Sequence, residues 1–296
     1  MKKIQSLEEY QSYLRAMLFF FDELCRENDI KYTVMDGTLL GTVRNHGLIP
    51  WDGDVDVAVT HKEFEKLKKA FENYNGRFYF NYFPDHYFKK YGVKKSYGTI
   101  TAKVVDTKCD NEIFGIDVFT IDFLGDDKEF AEETVRLYKK WSKRQCAAIA
   151  FHLPKMSKNK SLVRNALNAG LRFVYPFAKF ASIIYTPIFK KGYQNFLDER
   201  LSFDETCKYF SIEPYLGRIG VEENTILNDG YVDMMFDNIK VMVVKNYEAY
   251  LVPTYGDYMQ LPPEDKRTPY PSLEELMDCN IEIDEEMRKY IEYSIR

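Results

Sequence analysis

The sequence predicts an α+β fold, a mixed sheet flanked by helices and followed by a largely helical C-terminal portion. Helical and strand-like hydrophobic periods interchange along the first half of the chain, capping signals mark where helices begin, and a valine-rich strand carries acids at alternate positions. With 296 residues, 45% of them hydrophobic, the chain can bury one large core or two modest ones. A shift in composition sets a soft boundary between a core over 1–150 and a mainly helical portion over 151–296 that also completes the core.

Ser6 with Glu9 forms a capping box, and Tyr10, Leu14, Met17, Phe21 and Leu24 follow at helical spacing up to Asn28. A turn is expected at Gly37. An acidic strand follows around Val55 to Val59, and Thr60 with Glu63 repeats the cap, opening a helix with Phe64, Leu67 and Phe71 inward. Residues 74–99 are crowded with Tyr and Phe and broken by Gly76, Pro84, Gly92 and Gly98, which reads as short strands joined by turns. ITAKVV and IFGIDVFTID then read as two more strands. In the second, Asp117, Phe119 and Ile121 share one face, whereas Val118, Thr120 and Asp122 share the other.

Residues 126–150 suit a helix, acidic early and basic late as the helix dipole favours, with Phe130, Leu137 and Trp141 as its inner stripe. After Pro154 a basic and aromatic stretch has almost no acids. From about Tyr193 mixed polarity returns, with a strand at 240–244, a helix from near Asn246, and YGDYMQLPPEDKR.

A net charge of -5 gives no general pull on nucleic acid, so such a partner is not expected. Five scattered cysteines with no CxxC pair fit reduced thiols in the cytoplasm. The opening MKKIQSLEEY lacks a secretory signal's apolar stretch, and no apolar run reaches the ~20 residues of a spanning helix. The cationic stretch 160–191 suits either a core helix pair or shallow insertion at an anionic leaflet, which would put the protein at the inner face of the cell membrane.

The segment DGTLLGTVRNHGLIPWDGDVDVAV, residues 36–59, carries the chemistry. In an extended chain Asp52, Asp54 and Asp56 share one face while Val55, Val57 and Val59 point into a core. Crowded carboxylates either raise their pKa values or recruit a cation, and their oxygens suit a hard ion such as Mg2+, or Mn2+ in its place. A Gly-Thr step followed by a D-x-D pair is the arrangement of nucleotidyltransferase-type phosphoryl transfer. There a glycine admits phosphates close to the backbone, and paired aspartates hold the metal. Asp117, in a separate apolar strand, is placed to complete that site.

Beyond the residues themselves, GTLLGTVRNHGLIPWDGDVDVAV resembles the LicD family, whose pattern runs GTLLG, an Arg, a Gly and then IPWDDD. TAKVVD at 101–106, GIDVFTID at 115–122 and YGDYMQLPPEDKR at 255–267 agree with it in order. The resemblance implies a nucleotidyltransferase-like fold. It also implies transfer of a phosphorylated alcohol, such as phosphocholine from CDP-choline, to a cell-surface glycan such as lipopolysaccharide, teichoic acid or capsule, or to its lipid-linked precursor; related fukutin-type enzymes transfer ribitol phosphate. It gives Asp54, Asp56 and Asp117 the metal-binding and catalytic roles, with Asp117 as either ligand or general base. Gly37, Thr38 and Arg44 fall on the nucleotide-side loop, and Arg44 and Lys103 would neutralise phosphate oxygens, the first as a fork and the second as a point charge.

The sequence departs from that pattern at Gly53, where a middle Asp is commonest, at Asn45-His46, and at Thr120 in place of Pro. Other readings of Trp51, His46 and the aromatics Tyr82 and Tyr87 are core, surface loop and core, against base stacking, substrate contact and sugar stacking. Two further functions compete with phospho-alcohol transfer: nucleotidyl transfer to a small acceptor with release of pyrophosphate, and a non-catalytic nucleotide-binding scaffold.

Overall fold

The computed structural model describes residues 1–82, 102–111, 114–149, 191–212, 222–227, 229–269 and 272–295, with isolated positions between 170 and 189. The chain opens with strand β1 (Lys2–Lys3) and helix α1 (Leu7–Glu27). Ser6 caps α1 by accepting from the Glu9 N–H at 3.1 Å, while Glu9 reaches back to the N–H of Gln5 rather than that of Ser6. All five apolar positions expected inward are buried, and so are Tyr13, Leu18, Phe20 and Cys25. The burial goes beyond one stripe because the C-terminal helix α8 (Glu285–Ile295) packs on a second side of α1, with Phe19 stacked on Tyr293 and Phe20 edge-on to Tyr290.

Strand β2 (Thr33–Val34) leads into α2 (Asp36–Asn45), so Gly37 lies in a helix and not in the expected turn. Asp36 makes the sharp change of direction by adopting a left-handed φ of 46°, which Asp tolerates better than most residues. Next come β3 (Val55–Thr60), α3 (His61–Asn73), β4 (Phe78–Asn81), β5 (Ala102–Asp106) and β6 (Gly115–Gly125). Thr60 caps α3 through the Glu63 N–H, and the Glu63 carboxylate accepts from the N–H of Lys31.

Among the described residues the main sheet has seven strands, ordered β2-β3-β6-β5-β4, with β7 (Tyr209–Ile212) on β6 and β8 (Glu222–Glu223) on β7. The β3–β6 pair is parallel and its neighbours are antiparallel, so the sheet is mixed, in an α+β fold. All six residues of β3 are buried, as expected for a central strand covered on both faces.

Helix α4 (Lys128–Ile149) packs through Ala131, Thr134, Val135 and Tyr138, with Phe130, Leu137 and Trp141 only half-buried at its flanks. The buried face is rotated from the expected stripe because the small Ala131 allows close approach, and because the Tyr138 hydroxyl reaches the buried Asp122 at 3.0 Å. Residues 191–200 are helical (α5).

The C-terminal portion contributes strands as well as helices. The hairpin of β9 (Tyr231–Phe236) and β10 (Ile239–Val244) docks on β2, where the Tyr32 hydroxyl and Thr33 Oγ1 accept from the N–H groups of Met242 and Val244. Helices α6 (Glu248–Tyr255) and α7 (Leu273–Leu276) and strand β11 (Asn280–Ile281), which pairs with β1, precede α8. Portions on both sides of residue 150 thus share one sheet and one helix layer.

Among the described residues no helix is long and apolar enough to cross a membrane. Most of 160–191, including Lys179 and Lys190, lies outside the described residues, and so does the sugar-stacking candidate Tyr87; within 160–191 Phe177, Phe180 and Ile188 are exposed. Cys25, Cys109, Cys207 and Cys279 are buried free thiols.

Candidate active site

The carboxylates gather where the loop after α2 enters β3. The loop is held from below by buried Gln11 on α1, whose amide donates to the carbonyls of Ile49 at 3.0 Å and Asp52 at 2.8 Å. Asp52 and Asp54 precede β3 and are not part of a strand, which corrects the expectation of one regular strand carrying all three acids. They still converge: the charge of Asp52 bears on Asp54 more strongly than that of any other acid, and Asp52 accepts from the N–H of Gly53 at 3.1 Å. Asp56, inside β3, is the register partner of Asp117 on the parallel neighbour β6, so the two side chains stand side by side on one face.

The electrostatics follow from that crowding. Burial pushes the Asp54 carboxyl well above the usual range, aided by the negative charge of Asp52 and then of Asp117. Burial raises Asp56 likewise, followed by the charges of Asp54, Asp117 and Asp36. Asp52 is raised by burial, with Asp36 adding repulsion. Asp117 has a built-in counterion. Lys103, its cross-strand partner on β5, lies with Nζ 3.2 Å from each of the two carboxylate oxygens.

The other predicted residues serve this cluster indirectly. A methyl group at Gly37 would sit 2.5 Å from Asp52 Oδ2, so glycine is required there to admit the carboxylate. Thr38 is fully buried, and its hydroxyl oxygen accepts from the Asp56 N–H at 2.9 Å, fixing β3 against α2. Arg44, at the far end of α2, donates to the Tyr258 carbonyl at 3.2 Å and to Asn45 Oδ1 at 3.0 Å. Lys103 and Thr38 are therefore committed to protein partners, whereas Arg44 meets no carboxylate among the described residues.

Asp122 is on the opposite face from Asp117, as strand alternation requires. It accepts from Thr120 and Tyr138 at 3.0 Å each and lies 3.7 Å from His61 Nδ1. Exposed His46 caps α2 in a left-handed conformation, a backbone role. Tyr82 is part of an aromatic cluster with Phe64 and Phe80.

Sequence reasoning missed Asp36, Tyr250 and Arg267, whereas Tyr255 opens the YGDYM signature, with packing under the site or a place on its acceptor side as its expected roles. Asp36 accepts from the Tyr250 hydroxyl at 2.6 Å. The Tyr255 phenol is raised by burial and by the charges of Asp36, Asp56, Asp52 and Asp54, which puts α6 on the edge of the cluster. Arg267 lies over the half-buried Trp51 ring, 5.6 Å from its centroid. The Asp immediately before GTLLG and the Arg closing YGDYMQLPPEDKR were the readable signals for two of them.

The donor set is all oxygen, which fits a hard divalent cation. Among the described residues no three metal-ligating side chains close on one point. An ion that completes its shell with water and substrate phosphates needs only one or two protein carboxylates.

Residues 29–157 match the family model described as LicD/FKTN/FKRP, nucleotidyltransferase domain. The chain is similar to the lipopolysaccharide cholinephosphotransferase LicD of Haemophilus influenzae, with 23% identity over 280 residues, covering 91% of this chain and 97% of that one. Shorter matches join it to uncharacterized proteins of Rickettsia typhi, 42% identical over 53 residues, and Rickettsia prowazekii, 49% identical over 41 residues. These cover 17% of both chains in the first case, and 14% of this chain and 15% of its relative in the second. The acidic β3–β6 site lies inside the stretch that is similar to the LicD nucleotidyltransferase domain.

Proposed function

We propose that this protein is a phosphotransferase that moves a phosphorylated alcohol, phosphocholine or a similar group such as glycerol or ribitol phosphate, from a CDP-linked donor to a hydroxyl of a cell-surface glycan or its lipid-linked precursor, releasing CMP. The observation that carries this reading is the pairing of Asp56 with Asp117 on adjacent parallel strands, with Asp54 at the same end. The similarity to a lipopolysaccharide cholinephosphotransferase over most of both chains supports the substrate class.

Asp54 and Asp56, with Asp117 beside them, would hold Mg2+. The ion, when bound, neutralises phosphate oxygens and stabilises charge on the leaving group. The protein's own part is positional. Thr38 holds the Asp56 backbone, Gln11 holds the loop of Asp52, and Lys103 orients Asp117, so the carboxylates meet the donor without rearranging. The acceptor hydroxyl attacks the distal phosphorus of the donor, the bond from that phosphorus to the bridging oxygen breaks, and CMP leaves. Lys103 donates to Asp117 Oδ2, whereas Oδ1 accepts no hydrogen bond among the described residues, so Asp117 keeps one oxygen either to hold the ion or to take the proton of the attacking hydroxyl.

The test is incubation with Mg2+ and CDP-choline, CDP-glycerol, CDP-ribitol or CTP, following CMP and pyrophosphate with and without chelator. Chelator-sensitive CMP release supports the proposal, and pyrophosphate release from CTP would replace it with nucleotidyl transfer. Asp56→Asn should lower turnover at least about a hundred-fold, as loss of transition-state charge stabilisation does, without lowering the melting temperature. Full activity in that variant rejects the site.

A further inference from the structure

One row of polar side chains crosses four strands of the main sheet. Asn81 on β4 is the register partner of Lys103 on β5, Lys103 of Asp117 on β6, and Asp117 of Asp56 on β3, so all four stand on the face that carries the acids. The alternate residues of β4 turn the other way: the rings of Phe80 and Tyr82 pack on Phe64 of α3 at 5.2 and 6.0 Å. Two buried atoms in this row have no hydrogen-bond partner, Asp117 Oδ1 and Asn81 Oδ1, and their residues flank the same lysine.

A buried carbonyl oxygen without a donor is costly, and Asn81 is only 2% exposed, so bulk water does not satisfy it. An apolar side chain of similar size would avoid that cost. The matching donor is its cross-strand neighbour. Lys103 has three N–H donors, and among the described residues it uses one, on Asp117 Oδ2 at 3.2 Å. A methyl group on Gly115 would meet Lys103 Cε at 2.9 Å and Cγ at 3.3 Å, so the lysine stem lies across a glycine and its end alone is left to turn. Cross-strand partners have Cβ atoms about 5 Å apart, a span that the end of a lysine crosses.

The ammonium also stands in the way of a second cation. Its Nζ is 3.2 Å from both oxygens of Asp117, in the space that a divalent ion on that carboxylate would need, and two cations repel strongly in a buried site. Lys103 therefore has to give way when Asp117 serves as a metal ligand, yet at 5% exposure it has no water to turn to.

We propose that Asn81 is a positioning residue that receives the Lys103 ammonium on Oδ1 when Asp117 turns to a divalent ion, so that the metal site loads without stranding a buried cation. The inference rests on Asp117 being a ligand of that ion, as proposed above. Nothing covalent changes: the hydrogen bond from Lys103 to Asp117 Oδ2 is exchanged for one from Lys103 to Asn81 Oδ1.

Calorimetric titration of the full chain with Mg2+ tests it, on the parent, Asn81→Leu, Asn81→Asp, Lys103→Met and the double variant Asn81→Leu with Lys103→Met. Asn81→Leu should weaken Mg2+ binding about ten-fold, within the range of coupling between residues in contact. Asn81→Asp keeps oxygen acceptors beside the ammonium and should bind Mg2+ at least as tightly as the parent. Lys103→Met has no ammonium to move, so adding Asn81→Leu to it should leave the affinity unchanged, a dependence that a merely structural Asn81 would not show. In EDTA, Asn81→Leu should be at least as stable as the parent in urea unfolding, because an unpaired carbonyl oxygen has been removed.

Parent-like Mg2+ affinity in a folded Asn81→Leu overturns the exchange, and so does an equal loss in the Lys103→Met background or weaker binding by Asn81→Asp. Lower stability of Asn81→Leu in EDTA also overturns it, since the amide would then be engaged before any ion binds. Asn81-dependent Mg2+ binding with no CMP release from any CDP-alcohol leaves the exchange standing and rejects the transferase, whereas chelator-sensitive CMP release with parent-like Mg2+ affinity in Asn81→Leu does the reverse. Absence of Mg2+ binding by the parent overturns the shared metal site and the exchange with it.

Discussion

Gly37 and Thr38 show how single residues set up a charge cluster they never join. A side chain on residue 37 would occupy the place of Asp52 Oδ2. Gly37→Ala should therefore displace that carboxylate and reduce turnover about ten- to a hundred-fold, the cost of losing a supporting contact at a metal site, while circular dichroism shows an intact helix content. Thr38→Val removes the acceptor for the buried Asp56 N–H and should cost about 1–3 kcal/mol in urea unfolding. Alternation in sequence revealed Asp54, Asp56 and Asp117 because each acid interrupts an apolar pattern. It could not reveal why Gly37 is glycine, since the reason is a side chain fifteen positions away brought back by the loop at 47–52. The partner of Lys103 is equally hidden: a lysine in a strand suits a phosphate contact, a surface charge or an ion pair until its neighbour across the ladder is known.

Elements were legible where their period was local. The caps at Ser6 and Thr60, α3, β5 and β6 fall close to where periodicity and capping put them. The turn expected at Gly37 is instead the start of a helix over DGTLLGTVRN, stabilised by tertiary contacts such as the close approach of Gly41 to the Gly47 carbonyl. The join between β4, β5 and α8 was not legible at all. Arg77 just before β4 is completely buried, pairs with Asp106 at the end of β5 through Nε at 2.8 Å, and reaches Asp284 before α8 at 2.8 Å. Its backbone N–H also donates to Glu286. Arg77→Leu strands the Asp106 charge and should cost about 3–5 kcal/mol of stability at neutral pH, measured by urea unfolding. A loss close to zero would show that Asp106 is held by other partners.

At the scale of the whole molecule the acid cluster links stability to pH. Asp52, Asp54 and Asp56 all have folded-state pKa values above their ordinary one, so the native chain binds more protons than the unfolded chain above about pH 4. Their contribution is most favourable at acid pH and is lost as pH rises through the raised values. In EDTA, the melting temperature of Asp56→Asn relative to the parent should therefore increase from pH 5 to pH 8, and adding Mg2+ should raise the parent's melting temperature more at pH 8 than at pH 5. A difference that is flat with pH would mean that the carboxylates are not crowded in solution. Opposite shifts, such as that of Asp284, lowered by its bonds to Met287 N–H and Arg77 although burial opposes them, are common to both proteins and cancel in the comparison.

The pocket is also assembled from distant stretches of chain. Synthesis runs from the amino end, and about 150 residues separate Asp117 from Arg267, so at ribosomal speed the acids emerge roughly 10 to 30 s before the arginine that covers Trp51. During that interval the parallel ladder between β3 and β6 has to close over Asp56 and Asp117 with Lys103 as its built-in neutraliser. An ammonium carried on the adjacent strand gives these acids, all of them made by residue 117, a neutralising neighbour well before the last sixth of the protein emerges.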